Sequence, residues 1–210
     1  MDVSRALTQI AEIHEQIAKA EVYRGYRPLP VAASGLIGIA AAALQARYSL
    51  AVEPVAFVIY WGAVAIGAAA VGASEVAYHY VTNDAEADRG RTRLVIGQFL
   101  PAAVAALLIS VSFLRLDPAL VRLLPGLWAM CFGMGVFASR PYLPRATALI
   151  ALFYYAAGLA LLARAYGTGS LDGWPLGATF GIGQLASALV LYWDDERVRA
   201  ERRWTRLAGR

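Results

Sequence analysis

The chain reads as an all-α polytopic membrane protein, with six transmembrane helices preceded by a cytoplasmic amphipathic helix. Three observations carry that reading. The 210 residues are 59% hydrophobic and only 16% charged, with a mean hydropathy of +0.52, whereas a soluble domain of this size covers itself with charge. The charged residues cluster between long apolar runs. The basic residues favour alternate connections, the pattern that orients helices in a bilayer.

A spanning helix needs about twenty mainly apolar residues at a rise of about 1.5 Å each. Six segments meet or approach that length: residues 29–46, 54–78, 94–114, 123–139, 146–166 and 175–193. The fourth is the shortest. Breakers fill the connections: Glu53-Pro54, Asp117-Pro118, Pro141 with Pro144, and the run from Gly167 to Gly173. The chain thus divides into a cytoplasmic amphipathic and juxtamembrane segment (1–28), a six-helix domain (29–193) and an arginine-rich cytoplasmic tail (194–210). The first apolar segment begins only near Leu29, without a small-residue cleavage site behind it, so it is expected to serve as its own uncleaved signal.

With the N-terminus cytoplasmic, fifteen of the nineteen basic residues fall on one side and four on the other (Arg47, Arg115, Arg122 and Arg164). Both termini are therefore expected inside, in a plasma (inner) membrane. Five or seven spans would scatter the charges. Trp174 and Trp193 bracket the last span as interfacial anchors. A lone lysine, Lys19, and abundant alanine suggest a GC-rich bacterial gene. The isoelectric point near 9.4 is explained by orientation and not by a nucleic-acid partner, because the basic residues sit in short loops and a tail. Cys131, the single cysteine, lies in an apolar segment and reads as a small core residue.

The N-terminal segment differs in kind. Val3, Leu7, Ile10, Ile13 and Ile17 recur at helical spacing, with Arg5, Glu12, Glu15 and Lys19 turned away. Surface-bound membrane helices carry a basic polar face; this one is acidic up to Glu21. One reading packs it on the protein's own cytoplasmic face. The other makes residues 3–20 a contact for a second copy or a cytoplasmic partner, since Val3, Leu7, Ile10, His14 and Ile17 also fit a coiled-coil seam.

Three helices plus three would place the two halves in opposite orientations, as in inverted-repeat transporters. Spans one and four open on Leu-Pro and carry glycines; spans two and five share an aromatic pair followed by small residues; spans three and six share Ile-Gly-Gln at 96–98 and 182–184. Short identities are common in so biased a chain, and Gln98 sits nearer its end of the membrane than Gln184 does.

Four side chains stand out chemically. Gln98 and Gln184 are amides in apolar helices, where each needs a partner or a polar cavity. Glu75 and His79 stand four apart at the end of the second span, and Glu75 is the only acid inside any span. Such a pair suits a proton relay, a cation site or a pH sensor, or simply reaches out to water. No metal site is expected: Asp84, Glu86 and Asp88 lack a calcium-loop glycine and terminal glutamate, and no zinc spacing exists. His14 and His79 lie on one side of the membrane, which excludes a haem pair within it. No cofactor is expected. Hydrolase, zincin and phosphate-loop motifs are missing, so an enzyme is the weakest class.

The segments PGLWAMCFGMGVFASRPYLPR, ALFYYAAGLALL, FGIGQLASALVLYW and RLVIGQFLPA resemble a family of bacterial six-helix membrane proteins for which no activity is established. The resemblance covers most of residues 90–193 and implies the fold without supplying a site. Two functions follow from the residues themselves. One is a protein that binds or moves a small solute or ion at a polar site built from Glu75, His79, Gln98 and Gln184. The other is a membrane-embedded interaction or regulatory module.

Overall fold

Prolines set the helix ends. In the computed structural model the backbone is described for residues 28–82, 86–168 and 171–208, and the side chains for these apart from 75–82, 86–92, 168, 198–199 and 201–208. Helix α1 (Pro28–Tyr48) has prolines 28 and 30 in its first turn, α2 (Pro54–Thr82) starts on Pro54, and α6 (Trp174–Ala208) carries Pro175. A proline there loses nothing, because first-turn amides have no intrahelical partner. Between them lie α3 (Glu86–Leu116), α4 (Leu124–Ala138) and α5 (Thr147–Thr168). Six helices are long and apolar enough to cross a membrane, and no strand occurs among the described residues, consistent with a multi-pass membrane protein.

Three boundaries differ from the sequence reading. The fourth span is not short: a 3-10 turn (Pro118–Leu123) runs straight into α4, giving a mainly apolar span of 21 residues from Pro118 to Ala138. Asp117, expected in a connection, caps this turn by accepting the Ala119 amide at 2.9 Å. The second and third helices run beyond the spans 54–78 and 94–114, being helical up to Thr82 and again from Glu86. The last helix does not end at Trp193: α6 continues as one helix to Ala208. The amphipathic helix expected over residues 3–20 lies outside the described residues.

The helices form a ring in the order α1, α6, α5, α4, α3, α2, closed by sparse contact between α2 and α3. The most extensive pairs are α1 with α6 and α4 with α5. Both are built on glycines. A Cβ on Gly35 would lie 2.9 Å from the Gln184 Cβ and 3.0 Å from the Gly181 carbonyl, and one on Gly177 would run into Ala42 and the Gly38 carbonyl. Gly126 and Gly158 bring α4 and α5 equally close. In lipid no hydrophobic gain separates helix from tail, so close van der Waals approach is what joins such helices.

Aromatic rings fill the centre. Phe57 of α2 stacks on Trp128 of α4 at 6.2 Å and 8°. Phe132, one turn further along α4, meets Tyr154 of α5 at 4.7 Å and Phe180 of α6 at 5.2 Å. Phe180 touches both buried clusters and so joins the column end to end. Fully buried Val121, on the 3-10 turn, packs with Phe57, Trp61 and Leu124 in one of these clusters.

Glycine placement supplies a direct test. Gly177→Val should push α1 off α6 and cost about 1–3 kcal/mol, read as a lower melting temperature of the purified protein. Gly67→Ala, with nothing within 4 Å of its Cβ position, should be neutral or slightly stabilising. Equal melting temperatures for the two variants would contradict this packing.

Candidate functional site

Of the four residues singled out by sequence, Gln98 and Gln184 are the two whose side chains are described. Gln184 is half-buried against Gly35 at the α1–α6 interface, whereas Gln98 is exposed on α3. Their neighbours differ as well: Gly183 packs under the Tyr154 ring, but Gly97 meets nothing within 4 Å. Glu75 and His79 belong to α2, and their side chains lie outside the described residues.

The polar constellation that does assemble sits at the opposite end of the bundle from Pro28. Its centre is Gln45, in the last turn of α1 and only 5% exposed. The Trp61 indole of α2 donates to Gln45 Oε1 at 2.8 Å, and Gln45 Nε2 donates to the Leu171 carbonyl at a long 3.4 Å. A carboxamide nitrogen carries two hydrogens, so one donor remains uncommitted. The site depends on close backbone approach, because a Cβ on Gly173 would collide with Gln45 Oε1. Tyr60 ties α2 to the same turn by donating to the Ala41 carbonyl at 2.6 Å.

Above Gln45 opens a cleft of about 190 Å³, lined by Gln45, Ser49, Leu50, Val52, Leu171 and Asp172 among others. Its polar wall is Asp172, which accepts the Trp174 amide at 3.0 Å and pairs with Arg164 at 3.3 Å. Its other lip is the end of α1. Leu50 donates to the Gln45 carbonyl at 3.1 Å and Ser49 holds φ 49°. That is a helix-ending turn whose left-handed position is normally glycine; Ala51 is left-handed too, at φ 57°. The cleft therefore offers an amide donor, a hydroxyl and a carboxylate beside apolar walls. It is smaller than the roughly 300–1,000 Å³ of pockets for drug-sized ligands.

Sequence reasoning passed over Gln45, although a signal existed. Gly35, Gly38, Ala42 and Gln45 recur at the spacing of one helical face, so the stripe of small residues ends in an amide.

A second polar group lies deeper. The Tyr154 hydroxyl is fully buried between α5 and the Gly183 backbone and has no hydrogen-bond partner. Ser187 donates to the Gly183 carbonyl at 2.7 Å, which occupies the nearest backbone acceptor. Among the described residues no group of three His, Cys, Asp or Glu side chains is placed to hold a metal.

Fold and cleft together define a six-helix, multi-pass architecture with a polar cleft at one end. No protein-family model matches the chain, and neither a curated protein nor a solved structure matches it significantly.

Two substitutions test this geometry. Tyr154→Phe should raise stability by about 1–2 kcal/mol, because it deletes a buried hydroxyl that has no partner. A loss of similar size in thermal melts would mean that the hydroxyl is bonded in the membrane. Ser49→Gly should stabilise by about 1 kcal/mol by relieving the left-handed turn. Destabilisation would argue that the Ser49 side chain holds the lip.

Proposed function

We propose that this is a multi-pass plasma-membrane protein of a bacterium, with both termini cytoplasmic, that binds a small polar solute or ion in the cleft above Gln45. The observation that carries the reading is the Gln45 carboxamide: buried, oriented by Trp61, and holding one uncommitted donor at the floor of an open cleft. Burying an amide is costly unless its hydrogen bonds are made, so a ligand acceptor completing that set is favoured. Asp172 and Ser49 add an acceptor and a hydroxyl, which suits a zwitterion or a small amine-bearing solute.

Charge asymmetry supports the orientation. Fifteen basic residues lie toward the side of the termini and four toward the cleft, so the cleft faces outward. Transport is the finer form of this reading. It requires a route past Phe132, Tyr154 and Phe180, so passage needs a rearranged state. The order of helices in the ring suits a 3+3 relation, because exchanging α1–α3 with α4–α6 maps each close neighbour pair onto another. The unlike surroundings of Gln98 and Gln184 offer no support for a paired-glutamine site within such a repeat.

An interaction or regulatory module is the second reading, with residues 3–20 as the contact for a second copy or a cytoplasmic partner. Continuation of α6 beyond its apolar stretch to Ala208 favours it.

Thiol labelling in membranes separates the alternatives. In a Cys131→Ala background, Ser49→Cys should react with a charged, impermeant reagent added outside. Gln184→Cys should stay unreactive from either side. Reaction at Gln184→Cys would place a hydrated path at mid-membrane and favour transport through the bundle. Silence at Ser49→Cys would end the cleft proposal. Among amino acids and small amines screened by thermal shift, a binder should lose at least tenfold in affinity on Gln45→Leu, about 1.4 kcal/mol.

A further inference from the structure

Helices α1 and α6 run antiparallel in a fixed register: Gly35 lies against Gly181 and Gln184, Ala42 against Gly177, and Gln45 against Gly173. Pro28, where α1 begins, therefore stands near the level of about residue 190 of α6. Beyond that level α6 continues to Ala208 without α1 beside it. The stripe that faced α1 can be followed onward, because eighteen residues are about five whole turns. Gly181 is succeeded on it by Arg199, Gln184 by Arg202, Leu185 by Arg203 and Ala188 by Arg206. Five turns beyond the face of α6 that holds α1, the same helical positions are occupied in the sequence by four arginines, preceded by Asp195.

The chain that leads into α1 carries the complementary order of charge. Reading away from the bundle, residues 27 to 12 present Arg27 and Arg24, then Glu21, Glu15 and Glu12, with Lys19 the exception. Reading the same way, α6 presents Asp194, Asp195 and Glu196, then Arg197, Arg199, Arg202, Arg203 and Arg206, with Glu201 the exception. The first sign change on each falls at the same height when the register of α1 and α6 is continued. In that register residues 194–208 of α6, about 22 Å long, would lie opposite residues 10–24. Asp194 and Asp195 are half-buried while Glu196 and Arg197 are exposed.

We propose that the N-terminal segment, residues 1–27, folds back along the extension of α6 and docks its glutamates on the arginine stripe. The occupant is this chain itself, and the docking continues the α1–α6 pair past the membrane. It does not depend on the cleft above Gln45. The apolar row of Val3, Leu7, Ile10, Ile13 and Ile17 then faces away from the arginines, toward the bilayer surface or the ends of neighbouring helices.

The test uses the full-length chain in native membranes, with Cys131→Ala, Glu15→Cys and Arg203→Cys, and a protease site inserted in the 169–170 connection. Mild oxidation should join the two fragments of one chain, and reductant should part them. The pair Glu15→Cys with Arg91→Cys should give little product. Adding Arg199→Glu, Arg202→Glu and Arg206→Glu should lower the yield at least fivefold, and Glu12→Arg with Glu21→Arg should restore it. Elution of each variant as a single sharp species shows that the bundle is intact. Linkage only between chains would assign the stripe to a second copy and overturn the proposal. An intact protein with no linkage would overturn it too, and a yield that falls in liposomes containing anionic lipid would give the arginines to headgroups.

Discussion

The contact between α1 and α6 is the constraint on which the rest of the bundle depends. Water is absent from the bilayer core, so burying apolar side chains gains nothing over leaving them in lipid. What remains is the close approach of two backbones, and Gly35, Gly38, Gly177 and Gly181 permit it on both sides of one seam. The same device joins α4 to α5 through Gly126 and Gly158. Helix α2 lacks it: Gly62, Gly67 and Gly72 meet nothing within 4 Å, and α2 is the least buried of the spans. Two tight pairs thus form the frame, while α2 and α3 lean on it through aromatic side chains and hydrogen bonds.

Those hydrogen bonds explain why the polar groups sit where they do. Every indole or amide drawn into the bundle must find a partner. Trp61 answers Gln45, and Trp128 donates to Ser110 Oγ at 2.8 Å, which in turn donates to the Ala106 carbonyl at 2.7 Å. Gln45 and Ser110 are among the few buried polar side chains, and each fixes a tryptophan that borders Phe57. The aromatic column is therefore positioned from its edges by polar contacts and filled at its centre by rings. Tyr154 is the exception, with its hydroxyl turned into the α5–α6 seam and left unpaired.

Much of this architecture was legible in the sequence, for identifiable reasons. The six spans follow from hydropathy, because lipid forces every residue of a span to agree. Pro54 and Pro175 mark helix starts by the same chemistry in sequence and structure. The fourth span was underestimated because Asp117-Pro118 resembles a turn and is in fact a cap with a first-turn proline. Pairing was not legible. Ile-Gly-Gln occurs twice, yet Gln98 faces outward and Gln184 faces α1, since identical triplets do not fix which side of a helix meets a neighbour. Gln45 was hidden by position: near a helix end, a glutamine reads as interfacial until Trp61 and Gly173 are seen to enclose it.

The structure also bears on what a solute-handling protein of this shape must do. A permanent pathway needs polar atoms or water along its length, because an ion or zwitterion in contact with rings alone loses its hydration without replacement. Below Gln45 the next groups are Phe57 and Trp128, which stack, and Phe180 and Phe132, which meet edge to face, with Trp128 and Phe180 packed on one buried cluster. A solute held in the cleft therefore meets a closed floor. To pass, it must separate α4 from α6, whose direct contact is slight, and not α1 from α6, whose glycine seam is extensive. The contact that bars the way across the bundle is thus that of Phe132 with Phe180, and the ring of Tyr154, whose hydroxyl is unpaired, lies 5.4 Å from the Phe180 ring between ring centres. An opening there would hydrate that hydroxyl, the one buried side-chain polar atom without a partner among the described residues.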